Sequence, residues 1–175
     1  METSTPHTPA PMFKPALQYA FILSMISVLL FVGAFYLKID QNGGAYKTFN
    51  WLVAIGMIAW FIWHYKTKLN SNRLTLGNGV KLSAITGVCA GIISGLLIFS
   101  FIQLFALDYQ DQLIAESVIQ MREQGLTDEQ ITQSMPMVRT FTSPGVIGGL
   151  IIVFTPLTYI LVGLIISAII KNDRT

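Results

Sequence analysis

Residues 82–107 read LSAITGVCAGIISGLLIFSFIQLFAL, 26 positions without one Asp, Glu, Lys or Arg. A helix of that length reaches about 39 Å at 1.5 Å per residue, whereas a bilayer's hydrocarbon core is about 30 Å thick. A helix apolar on every side needs an apolar surrounding. This stretch therefore reads as a transmembrane helix, and it sets the solvent in which the rest of the chain is understood.

Three further stretches fit the same solvent. Residues 16–37 carry no charge, and twelve of them are Leu, Ile, Val or Phe. Together these contribute roughly −4 to −7 kcal/mol toward insertion. Residues 144–170 begin after Ser143 with Pro144, a favourable N-cap and first-turn pair, and stop at Lys171. Pro156 lies inside that span and predicts a kink. Residues 49–65 form the shortest span, with Trp51 near one end and Trp60, Trp63 and Tyr65 at the other, rings suited to the headgroup level. The expected fold is all-α: a membrane-embedded four-helix transmembrane bundle, with residues 108–143 forming an extracytoplasmic amphipathic helical hairpin between spans three and four.

Composition agrees. Of 175 residues, 53% are apolar and 11% charged, against about 25% charged in an average soluble domain. The length is that of one domain. A net charge of +2 with no basic patch gives no footprint for nucleic acid. Cys89 is the single cysteine, so no intramolecular disulfide can form. Residues 1–15, with Pro6, Pro9, Pro11 and Pro15, read as a disordered tail, and residues 171–175 as a short C-terminal one. The first apolar stretch exceeds the core of about 7–15 residues in a signal peptide and is expected to be retained.

Basic residues near span ends set orientation. With the N-terminus inside, the cytoplasmic segments hold Lys14, Lys66, Lys68, Arg73, Lys81, Lys171 and Arg174. The outer segments hold only Lys38, Lys47, Arg122 and Arg139, spread over more residues. Both termini are therefore expected in the cytoplasm. A rival arrangement, with residues 49–65 lying on the surface and the N-terminus outside, keeps the basic loop inside but leaves Ile55, Ile58, Phe61 and Ile62 unspanned.

Within the spans, Gly87, Gly91 and Gly95 recur every four residues, with Ser83 one step earlier. That spacing stacks small residues on one helix face and lets another backbone approach closely. Gly163 and Ser167 repeat the pattern in span four. Two uses stay open: packing inside the bundle, or contact with a second copy or another membrane protein. Ile114, Val118 and Met121 make an apolar stripe on a helix expected over residues 111–124, stopped by Gly125. Thr127 and Gln130 have the form of a capping box, so a second helix starts there. It is expected to reach about Ser134, where Met135-Pro136-Met137 interrupts it. The pair is expected to lie apolar side down across the outer face of the bundle, with a helix pair standing in solvent as the alternative.

No catalytic residue, cofactor site or metal site is assigned. The spans as drawn contain no ionisable carboxylate or amine, the usual mark of proton relays and ion coupling. Gln18, Ser24, Ser27, Gln103, Thr155 and Thr158 read as interhelical hydrogen-bonding groups. His7 and His64 are far from Cys89 in any such arrangement, and Met135 with Met137 is a thin basis for copper(I).

Gln124-Gly125-Leu126-Thr127-Asp128-Glu129-Gln130-Ile131, with Met135 and Phe141-Thr142-Ser143-Pro144-Gly145 after it, resembles the domain of unknown function 4199 family. The likeness extends over about residues 14–171, including Leu76-Gly77, Lys81 and the glycine-rich span. It implies a small four-span protein of a bacterial cytoplasmic membrane and brings no activity with it. The expected role is a non-catalytic membrane component acting through helix packing or partner interaction. A small transporter or channel subunit is the alternative, and a membrane-associated enzyme a lesser one.

Overall fold

The computed structural model describes residues 11–41 and 43–171. The proline tail up to residue 10, Asn42 of the expected Asn42-Gly43-Gly44 turn, and residues 172–175 of the C-terminal tail lie outside the described residues. Among those described there are six α-helices and no strand. They are α1 (Phe13–Tyr36), α2 (Gly44–His64), α3 (Leu76–Phe105), α4 (Tyr109–Glu123), α5 (Asp128–Phe141) and α6 (Pro144–Ile170). A π turn, Tyr65–Leu69, continues α2. Four helical stretches are long and apolar enough to cross a membrane: α1, α2 with its π turn, α3 and α6. This is a multi-pass membrane protein.

The tightest packing joins α3 to α6, which run antiparallel. A Cβ placed on Gly87 would lie 2.8 Å from Tyr159 Cβ and 3.0 Å from Pro156 Cα. One on Gly95 would lie 2.7 Å from the Gly148 carbonyl oxygen, and one on Gly91 3.1 Å from the Ile152 oxygen. Gly79 meets Ser167, and Gly163 meets Ser83, at closer range still. Backbone thus meets backbone at Gly87, Gly91 and Gly95, with serine side chains filling the approach at Gly79 and Gly163, and dispersion holds the helices where lipid offers no hydrophobic drive. Helix α6 runs unbroken through Pro156, which seats against Gly87.

Helix α1 packs on α3, where the Ser24 hydroxyl donates to the Ala90 carbonyl over 3.2 Å. Near one end of the bundle Tyr19 stacks on Phe61 of α2, with centroids 4.4 Å apart. Its hydroxyl lies 2.7 Å from His64 Nδ1. The basic residues Lys14, Lys66, Lys68, Arg73, Lys81 and Lys171 sit on the helix ends and loop at this same end. We call it the basic end.

Several boundaries differ from the sequence reading for physical reasons. The second span runs past residues 49–65, from Gly44 to Leu69, and Lys66 does not end it. Lys66 instead stays in the wall of the bundle, and its Nζ donates to the Ile170 carbonyl over 2.7 Å. Helix α3 starts ahead of residue 82 and takes in Gly77, Asn78 and Gly79: Thr75 caps it by accepting from the Asn78 N–H at 3.3 Å. Pro136 does not end α5, which continues to Phe141. Its missing N–H leaves the Thr132 carbonyl without an intrahelical donor, but both residues are exposed and water can serve that carbonyl. Ser143 precedes α6 without capping it, since its hydroxyl donates back to the Thr140 carbonyl at 2.7 Å.

Helices α4 and α5 form a hairpin at the end opposite the basic end. Gly125 has φ +81°, a left-handed position natural for glycine, and closes α4. Its N–H donates to the Arg122 carbonyl, and the Leu126 N–H to that of Met121, at 2.9 and 3.1 Å. The capping box at Thr127 and Gln130 then starts α5, with the Gln130 side chain accepting from the Thr127 N–H at 2.9 Å. The two helices contact each other more than they contact the spans. Ile114, Val118 and Met121 of α4 and Ile131, Met135 and Val138 of α5 are the sheltered positions. Helices α4 and α5 thus pack on each other, and α5 also touches α6.

Candidate functional site

The hairpin is rooted in an aromatic cluster. Tyr109, the first residue of α4, lies edge-on to Phe31 and Phe35 of α1, with centroids 5.6 and 6.1 Å away. Phe101 of α3 meets the same two phenylalanines at 6.0 and 5.6 Å. Edge-to-face contacts of this kind add about 0.5–1.5 kcal/mol each beyond simple burial. Gln41, after α1, clasps the root: its amide donates to the Phe31 carbonyl at 3.3 Å and its oxygen accepts from the Tyr109 hydroxyl at 3.2 Å.

Between the end of α1 and the first turns of α4 lies an open groove of about 580 Å³. Phe35, Tyr36 and Tyr109 supply aromatic walls, and Asp40, Asp108, Glu116 and Lys38 supply charge. The volume falls within the range of about 300–1,000 Å³ usual for small-molecule pockets. Lys38 sits at the lip with φ +53°, left-handed backbone where glycine is the ordinary choice. Its N–H donates to the Phe35 carbonyl at 3.2 Å and that of Ile39 to the Ala34 carbonyl at 2.9 Å, so a full helix stop holds the lysine in place.

Burial, then the nearby Glu116 carboxylate and Tyr46, push the Tyr109 phenol up to about 12 from its ordinary 10.0. The raised value means that the folded state favours the neutral phenol. This stabilisation is complete below pH 10 and is lost as pH rises through about 12. In an alkaline absorbance titration, subtracting the Tyr109→Phe trace from the wild-type trace should leave one phenolate step near pH 12. A step at pH 10 would show that the root is open to water.

Of the residues named from sequence, Lys38 of the orientation argument lines this groove, as do Asp108 and Glu116 of the outer helical section, whereas the packing, kink and capping positions lie elsewhere. Gly87, Gly91, Gly95, Gly163, Ser167 and Pro156 all meet in the α3–α6 seam, and Gly125, Thr127 and Gln130 form the tip of the hairpin. The seam face of α3 is covered by α6. No local pattern joins these residues into a groove, because a Phe in an apolar span carries no sign of its neighbour, and Gln41 and Tyr109 are separated by 68 positions. Among the described residues no three of His, Cys, Asp and Glu gather as metal ligands would.

The family model described as protein of unknown function (DUF4199) matches residues 18–172. The chain belongs to this family. The match takes in all four spans and the hairpin, so the groove and the seam both lie within the DUF4199 unit. Neither the curated proteins nor the solved structures compared with the chain gave a match.

Proposed function

We propose that this DUF4199 protein is a non-catalytic component of a bacterial cytoplasmic membrane, with both termini inside, that presents its α4–α5 hairpin outside to a protein partner. The hairpin's surface carries the reading. Ile119, Met137 and Phe141 stay 57%, 67% and 55% exposed after the two helices have packed together. Met137 and Phe141 are one helical turn apart and make a continuous apolar strip. The same two helices carry the exposed charges Asp111, Glu123, Asp128 and Glu129, with Arg122 and Arg139. An apolar strip with a charged surround is the usual anatomy of a protein contact. Sidedness is supported by the basic end, whose lysines favour the cytoplasmic face.

In a Cys89→Ser background, a membrane-impermeant maleimide should label Glu123→Cys in intact cells and spare Ser71→Cys; the reverse pattern sinks the orientation. For the partner, a photo-crosslinker at Met137 of the full chain in native membranes should give one discrete adduct. Ile119→Glu with Phe141→Glu should abolish it. Loss of no adduct, or a smear with no discrete species, would rule out the hairpin as a docking face.

A further inference from the structure

We infer that the groove at the root of the hairpin binds the headgroup of a zwitterionic phospholipid bearing a primary ammonium, of the phosphatidylethanolamine type. Three features of the groove lead to that chemistry. It opens where α1 ends, beside Tyr36, Leu37 and Ile39, which are all exposed on the span's last turn and the residues after it. A span's end is the headgroup level, so a ligand here has its polar part in the groove and its tail along Leu37 and Ile39.

The charges match a zwitterion in sign. Asp40, Asp108 and Glu116 line the groove with carboxylates, a group that accepts hydrogen bonds from an ammonium; Asp108 Oδ2 also accepts from the Gln112 side-chain amide at 2.8 Å. Lys38 at the lip offers one cation for the phosphate. The lining carries three carboxylates and one lysine, so a headgroup that brings an ammonium beside its phosphate matches it better than one that brings the phosphate alone. The primary ammonium has three N–H donors, whereas a choline nitrogen has none, so hydrogen bonding separates the two zwitterions. The aromatic walls favour a cation of either kind.

The groove is also preformed. Gln41 and the Phe31–Phe35–Tyr109 contacts fix its floor, and the α1 helix stop fixes Lys38. A site that is already built loses little order on binding. This inference concerns the inner wall of α4 and is independent of any partner on the hairpin's outer face.

The test uses the full chain in nanodiscs of phosphatidylglycerol containing a minor fraction of either phosphatidylethanolamine or phosphatidylcholine. After gentle detergent extraction, the retained lipid is counted by native mass spectrometry. Phosphatidylethanolamine should be enriched about fivefold over its share of the bilayer, the factor expected of one or two partly screened ion pairs. Phosphatidylcholine should not be. Asp108→Asn with Glu116→Gln should return the ratio to that of the bilayer. Lys38→Gly relieves the left-handed strain and so keeps the fold, yet it should lower the enrichment. Free ethanolamine at millimolar concentration should leave the enrichment intact, because the tail contributes to binding. Equal retention of both zwitterions, enrichment that survives the carboxylate changes, or displacement by free ethanolamine would each overturn the assignment.

Discussion

Gly87→Val is expected to loosen the whole α3–α6 seam, lowering stability by about 1–3 kcal/mol or more through overpacking. The added Cβ would stand 3.0 Å from Pro156 Cα, and backbone cannot rotate aside as a side chain can. Pro156 also lacks a spare backbone N–H to trade in a rearrangement, so α6 must shift as a unit. The same change at Gly149, where a Cβ meets nothing within 4 Å, should be harmless, and Gly149→Ala should gain some helix propensity. Thermal unfolding in detergent micelles compares the two. Equal melting temperatures for Gly87→Val and wild type would mean that the seam is not tightly closed.

The second large effect belongs to Lys66→Met. Lys66 is only 8% exposed, and its ammonium reaches the carbonyl of Ile170, the last residue of α6. The end of a helix carries unsatisfied carbonyls and a partial negative charge, so a cation there contributes twice. A hydrogen bond to a charged group is worth about 1.5–3 kcal/mol. Methionine fills the same space without the donor, and the loss should be about 2 kcal/mol. Lys66→Arg should recover part of it. Hydrogen exchange over residues 164–170 reports the local consequence. Unchanged protection there in Lys66→Met would show that the latch holds nothing.

What could be read from the sequence was whatever depends on the solvent. Long uncharged stretches such as residues 82–107 have one physical home, and the spans followed from that. Local chemistry was legible as well: Gly125 stops α4 and Thr127 with Gln130 starts α5 by contacts a few residues apart. Features that need a second element were not. Lys66 looks like a span terminus until α6 supplies a carbonyl for it. Pro136 looks like a breaker until the helix is seen to be solvated where its partner carbonyl lies. The groove depends on α1 and α4 meeting through Phe31, Gln41 and Tyr109, and no local pattern announces a contact between residues so distant along the chain.

The seam joins the third long helix to the last one, which has a consequence for biogenesis. After α3 enters the membrane, everything from Ala106 to Ile170 must still be translated, on the order of 10 seconds at the usual pace. Throughout that interval the groove of glycines faces lipid or whatever helix drifts past. A neighbouring nascent copy could donate its own final helix first, giving an exchanged pair in place of two closed monomers. Assembly of this protein is therefore a race between its own ribosome and the crowding of the bilayer around it.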